Sequence, residues 1–288
     1  MLSGIPIPKD AVRPSETVLV NITPQETRVA VLEENNICEL HIERNSGHSL
    51  VGNIYLGVVK RVLPGMQSAF IDIGLERAAF LHIVDVLEQR RNPDETQRIE
   101  HMLFEGQSVL VQVIKDPINT KGARLSTQIS LAGRFLVHLP QEDHIGISQR
   151  IEDDAERSSL RERLNNLLPE NACHGYIIRT NAENASDDQL QSDINYLTKV
   201  WEHIQKQAKI QPPETLLYQD LPLSLRVLRD MFSLDTHKIL VDSTENHRRM
   251  TQFAEQYVQG ALGRIELFKG ERPLFETHNI EQEIARAL

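Results

Sequence analysis

The sequence of 288 residues, 40% of them hydrophobic, is long enough for two or three compact units. Its formal net charge of −10 excludes a protein that coats nucleic acid through a broad basic face, but it leaves room for a small basic site. The two cysteines, Cys38 and Cys173, match no metal-ligand spacing, so neither a zinc site nor a disulfide framework is expected. The sequence shows neither a signal peptide nor about twenty successive apolar residues, and we expect a cytoplasmic protein without a membrane segment.

Strand patterns dominate the first half of the chain. Residues 17–43 predict three short strands in an antiparallel meander with a turn at EENN. Residues 49–127 carry four more β-rich segments: NIYLGVVKRV, SAFIDIG, AAFLHI and VLVQVIKD. Short strands without intervening helices indicate a small closed barrel.

Helices enter the pattern after residue 128. ISLAGRFLVHLP and HGYIIRT predict strands, whereas residues 154–168 and 186–209 predict helices, the second with a capping box at Ser186 and Gln189. The prolines of KIQPPETLLYQD predict a loop. A helix, a strand, a helix and a strand follow: LSLRVLRDMFS, KILVD, TENHRRMTQFAEQY and GRIELF. The meander and this tail are predicted to form one mixed sheet, split by the insertion between about residues 48 and 224.

Two phenylalanines of the predicted barrel are expected to point outward. In SAFIDIG, Ala69 and Ile71 share the core face, so Phe70 lies on the opposite face, and the same alternation in AAFLHI turns Phe80 outward. Outward aromatic rings on a small barrel stack unpaired bases. Burial of such a ring under a loop or a neighbouring domain is an equally open alternative. Basic residues available for phosphate contacts are Lys121 in the turn NTKGAR, Lys60, Arg61 and Arg124.

A second candidate site lies at the end of the strand GYIIRT. The guanidinium of Arg179 matches phosphate oxygens, and the hydroxyl of Thr180 adds a hydrogen-bond donor. An arginine at a strand end is, however, more often solvated or ion-paired, so the sequence pattern alone favours the structural role.

Catalytic groups are harder to find. A metal-dependent nuclease needs carboxylates that converge on Mg²⁺, and Asp72, Asp85 and Asp242 end or follow strands. Asp242 is the strongest of the three, but no spacing places a second carboxylate near it. Its position before Ser243 favours a role as a helix cap or turn residue. No residue is therefore predicted to be catalytic or to bind a metal ion.

Several long blocks resemble the ribonuclease E/G family. They are NIYLGVVKRVLPGMQSAFIDIGLERAAFLHIVDV, DPINTKGARLSTQISLAGRFLVHLP, GISQRIE and IIRTNAE, in the order that the family has them. The resemblance extends from about residue 17 to residue 288. It implies an α+β multidomain fold, in which an RNase H-like subdomain (1–48 and 225–288) is split by two others. These are an S1-type OB-fold β-barrel (49–127) and an α/β 5′-sensor subdomain (128–224).

The resemblance also implies roles for individual residues. Positions that match the family's RNA-binding residues are Phe70, Phe80 and Lys121. Positions that match its pocket for a 5′-monophosphate are Gly133, Val137, Arg179 and Thr180. In GISQRIE, Gln149 stands where ribonuclease E-like members have an arginine, so we assign the corresponding role to Arg150.

The family's catalytic machinery is expected to lie beyond residue 288. The resemblance implies Mg²⁺ as the cofactor of the complete enzyme, bound by aspartates of a following DNase I-like subdomain, with zinc-linking cysteines later still. The apolar stripe of Ile280, Ile284 and Leu288 ends without a cap, which favours a truncated chain. The complete family enzymes are oligomers, and for this chain we expect a monomer.

Three hypotheses follow for the function. The first is the RNA-binding portion of a single-strand-specific endoribonuclease that senses 5′-monophosphate ends during RNA processing and decay. The second is a stand-alone, non-catalytic protein that binds single-stranded RNA. The third places an active site at Asp242 within the chain, and it predicts Mg²⁺-dependent cleavage by these 288 residues alone.

Overall fold

The computed structural model describes residues 16–44, 49–86, 98–169, 175–233 and 235–287. Contacts divide the chain into two compact units, Met1–His48 with Leu221–Leu288, and Ser49–Asp220. The beginning of the chain and Cys173, on which the sequence makes predictions, lie outside the described residues. Among the described helices, none has both the length and the apolar composition needed to cross a bilayer.

The described elements comprise fifteen strands and seven α-helices. The strands are β1 Glu16–Ile22, β2 Glu26–Glu33, β3 Asn36–Arg44, β4 Ile54–Leu63, β5 Ser68–Asp72, β6 Ala79–His82, β7 Ser108–Lys115, β8 Arg124–Ser126, β9 Leu131–Ala132, β10 Leu136–Leu139, β11 Ile145–Ile147, β12 Gly175–Ile178, β13 Thr215–Tyr218, β14 Thr236–Val241 and β15 Ile265–Leu267. The helices are α1 Ile99–Met102, α2 Asp154–Leu167, α3 Asp187–Ile210, α4 Leu223–Arg226, α5 Thr244–Tyr257, α6 Leu274–Thr277 and α7 Ile280–Ala287.

The first unit contains one mixed sheet with strand order β15-β14-β1-β2-β3. Strands β1 to β3 form the predicted antiparallel meander, and β14 joins β1 in parallel. The sequence-based prediction that the meander and the tail share a sheet is therefore confirmed. The interior strands β1 and β2 carry buried residues such as Leu19 and Ala30, against which Phe275 of α6 and Ile280 of α7 pack.

The second unit contains a closed barrel of five strands. Its strands pair in the order β4-β5-β6-β8-β7, and β7 returns to pair with β4. The inward residues alternate along β5 and β6 as predicted: Ala69 and Ile71 on β5, and Ala79 and Leu81 on β6, are fully buried. The two sheets, the barrel and the seven described helices make the chain a mixed α+β protein.

The barrel sheet includes a strand that the sequence pattern misses. Residues 215–218 were predicted as loop because of the preceding prolines, but they form β13, which pairs with the first residues of β4. That prediction is wrong because Pro212 and Pro213 interrupt only the helix before the strand, and the apolar sequence TLLY resumes an extended conformation directly after them.

A four-stranded sheet, in the order β11-β12-β10-β9, completes the second unit. Helix α3 packs beside β10 and has the predicted capping box, in which Ser186 and Gln189 each accept the other's backbone N–H. This reciprocal cap fixes where the helix begins. The buried stripe of the helix, which includes Ile194, Leu197 and Trp201, follows from the three- and four-residue spacing of its apolar side chains.

Candidate functional site

The two phenylalanines of the barrel point outward as the alternation predicts. Phe70 is 37% exposed and Phe80 is half-buried, whereas their neighbours Ala69 and Leu81 are fully buried. The two rings contact each other edge to face, with centroids 6.2 Å apart and planes at 66°. The rings therefore form a joint aromatic surface on the outside of the barrel.

Strand register places this aromatic pair between two arginines. Arg61 on β4 lies opposite Phe70 on β5, and Phe70 lies opposite Phe80 on β6. Phe80 is in register with Arg124 on β8. We call these four residues the aromatic row; they cross four neighbouring strands on one face of the barrel.

Lys121 lies in a turn that is attached to the start of β6. The carbonyl oxygen of Ala123 accepts the N–H of Phe80 at 2.7 Å. A Cβ on Gly122 would lie 2.0 Å from the carbonyl oxygen of Ala78, so this close approach requires glycine. The two contacts hold the backbone beside Lys121 against the segment that leads into Phe80, a proximity that the sequence pattern cannot show.

Two of the basic residues near the row are engaged by carboxylates. The ammonium of Lys60 lies 3.1 Å from Asp72 and 3.0 Å from Glu214, and hydrogen bonds to these carboxylates raise its pKa. The guanidinium of Arg124 lies 2.8 Å from the buried carboxylate of Asp85. The exposed side chains of Arg61 and Lys121, in contrast, form no ion pair with any described residue.

The second group of candidate residues lies at one edge of the four-stranded sheet. Strands β11 and β12 are parallel and end in register at Ile147 and Ile178. Strand β10 runs antiparallel to β12, so its first residues lie at the same edge. The candidate residues at this edge are Gly133, Val137, Arg150, Arg179 and Thr180.

A buried carboxylate fixes the loop at this edge. Asp193 of α3, only 6% exposed, accepts the backbone N–H groups of Arg134, Phe135 and Leu136 at 3.0, 2.8 and 2.8 Å. A Cβ on Gly133 would lie 2.5 Å from both oxygens of that carboxylate, so the loop can approach α3 this closely only with glycine at position 133.

Arg179 holds the same loop from the other side. Its Nη1 donates to the carbonyl oxygens of Gly133 and Arg134, and its backbone N–H donates to the carbonyl oxygen of Phe135 at 2.8 Å. The remaining side-chain donors, Nε and Nη2, form no hydrogen bond with any described residue. Backbone carbonyl oxygens therefore orient the guanidinium, and its Nε and Nη2 remain available to donate hydrogen bonds to a ligand.

Arg150 lies on the exposed segment that follows β11. Nη1 of Arg157, on α2, donates to the carbonyl oxygens of Ser148 and Ile151, both at 2.9 Å. These bonds fix the backbone on either side of Arg150. The positioning residues Asp193 and Arg157 were missed by the sequence analysis. A signal existed for Asp193, because it shares the apolar face of α3 with Leu190 and Leu197.

The candidate carboxylates are separately engaged and do not form a metal site. Asp72 accepts the N–H of Gly74 at 2.9 Å, and this bond, together with Lys60, lowers its pKa. Asp242 accepts the N–H of Ile22 at 2.9 Å and a second bond from the amide of Asn21. Among the described residues, no group of three or more histidine, cysteine, aspartate or glutamate side chains is arranged to hold a metal ion.

Of the two structural roles predicted for Asp242, the helix cap is wrong, whereas a place in a turn agrees with the bend between β14 and α5 at which this residue lies. Ser243 caps α5, since its hydroxyl accepts the N–H of Asn246 at 3.3 Å. Asp242 instead ties the end of β14 to the end of its parallel neighbour β1, because Asn21 and Ile22 both belong to that strand.

Sequence comparison identifies the family. The model of the ribonuclease E/G family matches residues 130–288, more than half of the chain. The chain therefore belongs to the ribonuclease E/G family. It is 41% identical over 278 residues to ribonuclease G of Escherichia coli (strain K12) and 37% identical over 273 residues to ribonuclease E of a Nostoc species.

The matches cover nearly all of this chain but only part of each relative. The alignment with ribonuclease G of Escherichia coli includes 94% of this chain and 56% of that protein. Ribonuclease G of Haemophilus influenzae is 39% identical with the same coverage. In ribonuclease E of the Nostoc species, 93% of this chain matches 39% of the protein. This chain thus spans about half the length of the ribonuclease G relatives.

Proposed function

We propose that this chain is the RNA-binding portion of an endoribonuclease that cleaves single-stranded RNA during RNA processing and decay, including maturation of ribosomal RNA and turnover of messenger RNA. Membership of the ribonuclease E/G family supports the class of activity. The observation that carries the proposal is the aromatic row, since two outward-facing rings side by side on a small barrel, one exposed and one half-buried, suit unpaired bases.

In this proposal, RNA binds to the outer face of the barrel. Bases stack on Phe70 and Phe80, each contributing about 1–3 kcal/mol of binding free energy. Lys121 contacts a phosphate, and the attachment of its turn to β6 keeps it near the rings. Because every base can stack on an aromatic ring, the barrel is expected to bind single-stranded RNA without a preference for one sequence.

The edge of the four-stranded sheet is proposed to bind a 5′-monophosphate. Gly133, Val137, Arg150, Arg179 and Thr180 are the assigned residues, and their common location at one edge supports the assignment. Arg179 is preoriented by two carbonyl oxygens, which leaves Nε and Nη2 to donate to phosphate oxygens. The hydroxyl of Thr180 adds a donor on the next residue.

The subdomain boundaries form part of the same proposal. We assign residues 1–48 and 225–288 to an RNase H-like subdomain, 49–127 to an S1-type barrel and 128–224 to a 5′-sensor subdomain. The mixed five-stranded sheet and the five-stranded barrel support the first two assignments. The RNase H-like fold is not credited with RNase H chemistry, because fold alone does not carry function.

Hydrolysis is proposed to require Mg²⁺ that is held by residues outside this chain. Within the described ranges, the candidate carboxylates Asp72, Asp85 and Asp242 do not fit a magnesium site, since each is engaged by separate donors. The relatives named ribonuclease G extend well beyond the matched region, and we place the metal ligands in that additional part. We further propose a cytoplasmic location, a monomeric state for this chain and an oligomeric state for the complete enzyme.

The test is binding and cleavage of a short, fluorescent single-stranded RNA by the purified 288-residue chain, with and without Mg²⁺. Two RNAs that differ only in a 5′-monophosphate or a 5′-hydroxyl are compared. We expect binding without cleavage and tighter binding of the monophosphorylated RNA. Cleavage that depends on Mg²⁺ would place an active site within these residues, and equal binding of both RNAs would remove the sensor assignment.

A second measurement separates this function from that of a self-sufficient RNA-binding protein. The gene is sequenced beyond codon 288. A continuing reading frame supports the endoribonuclease, whereas a stop codon supports the non-catalytic binder.

A further inference from the structure

We propose that Arg61 is a further RNA-binding residue, whose guanidinium contacts the phosphate of the nucleotide stacked on Phe70. This inference rests on the proposed function of the barrel and assigns a new residue to it. The ligand group is a backbone phosphate of single-stranded RNA, so the contact adds affinity without adding sequence preference.

A β-bulge in β4 places Arg61 in position. Val59 pairs with Ile71 and Arg61 pairs with Phe70, so Lys60 is an extra residue in β4 with no partner of its own in β5. A bulge interrupts the alternation of a strand and re-aims the side chains around it. Here Lys60 and Arg61 are both exposed, although they are consecutive, and Val62 returns to pack against the core.

The two exposed side chains of the bulge differ in their surroundings. Lys60 is bound by Asp72 and Glu214, which neutralise its charge locally. Arg61 forms no ion pair with any described residue, and it stands directly opposite the exposed ring of Phe70. At the other end of the aromatic row, Arg124 is bound to Asp85. The available positive charge of the row is therefore concentrated at the Arg61 end.

This asymmetry gives the row a direction. The sugar and phosphate of a base stacked on Phe70 lie beside the ring, and each strand next to β5 is about 5 Å away. On one side of Phe70 the neighbouring strand is β4 with Arg61, and on the other side it is β6, which supplies the second ring. A planar guanidinium at this position matches two phosphate oxygens at once.

The test compares Arg61→Gln with Lys60→Gln in the 288-residue chain. Both substitutions remove one positive charge, at adjacent positions of the same bulge, so Lys60→Gln controls for overall charge. The probe is a fluorescent oligouridine with a 5′-hydroxyl, which gives the proposed sensor no phosphate to bind. Dissociation constants are measured between about 50 and 200 mM salt, the range over which phosphate contacts weaken strongly. Phe70→Ala, Phe80→Ala and Arg61→Lys complete the set, and thermal unfolding verifies that each variant folds.

We expect Arg61→Gln to weaken binding about two- to fivefold and to reduce the slope of log K against log salt by about 0.7, as for one lost phosphate contact on a single strand. Lys60→Gln should change the slope less, and Arg61→Lys should retain the slope. Phe70→Ala and Phe80→Ala should weaken binding with an unchanged slope.

Two outcomes would overturn the inference in different ways. If the phenylalanine variants weaken binding but Arg61→Gln leaves the slope unchanged, or Lys60→Gln lowers it equally, the barrel binds RNA without a contact from Arg61. If neither phenylalanine variant weakens binding, the proposed function of the barrel fails, and the inference about Arg61 fails with it.

Discussion

Replacing Asp193 by alanine is expected to destabilise the sheet edge that carries Gly133 and Arg179. The carboxylate accepts three successive backbone N–H groups, from Arg134 to Leu136, and two of these hydrogen bonds are fully buried. Alanine leaves the donors without an acceptor, and each unsatisfied buried donor costs about 1–3 kcal/mol. With two buried donors and one partly buried, we expect the free energy of unfolding to fall by about 3–5 kcal/mol.

The assay is urea denaturation followed by fluorescence of Trp201, the single tryptophan, which lies on the same helix as Asp193. Glu202→Ala, an exposed position of that helix, is the matched control and should change the unfolding free energy by less than about 0.5 kcal/mol. Hydrogen exchange at residues 134–136 should accelerate only in Asp193→Ala. Equal urea midpoints for the two variants would refute the argument that this carboxylate holds the loop.

Three other substitutions test the proposed sites. Phe80→Ala should weaken oligouridine binding by about 1–3 kcal/mol while thermal unfolding stays unchanged, and loss of folding would show that the ring is a core residue. Arg179→Ala should abolish the preference for 5′-monophosphorylated over 5′-hydroxylated RNA in a competition assay; a retained preference would contradict the assigned role. Gly122→Ala should lower the free energy of unfolding by about 1–3 kcal/mol and weaken RNA binding through Lys121, because its Cβ would meet the carbonyl oxygen of Ala78 at 2.0 Å. An unchanged melting temperature in that variant would show that the turn moves freely.

Local patterns were sufficient to predict most of the longer strands and the direction of the aromatic rings. Alternation along β5 decides which side chains are buried, so the exposed position of Phe70 followed from Ala69 and Ile71. The capping box of α3 was equally local, since its two residues are three positions apart. The mixed sheet was predictable because its apolar strands lie in two segments, one before and one after a single continuous insertion.

Residue-by-residue register and contacts between distant segments were not predictable from one sequence. The bulge at Lys60 appears only when β4 is aligned with β5, so no local pattern shows that Arg61 faces Phe70. The role of Asp193 requires a loop almost sixty residues away. Strand β13 was missed because its pairing partner, β4, lies more than 150 residues earlier in the chain.

Strand β13 also makes the barrel depend on a distant part of the chain. Its residues 215–218 cover the backbone edge of β4 at Ile54, Tyr55 and Leu56. A polypeptide of residues 49–127 alone would expose those N–H and C=O groups, and an uncovered strand edge recruits strands from other molecules. The excised barrel is therefore expected to self-associate, whereas a polypeptide of residues 49–220 keeps the edge protected. The segment that connects the barrel to β13 therefore also brings a strand back to the barrel, and this strand protects the edge of β4 against aggregation.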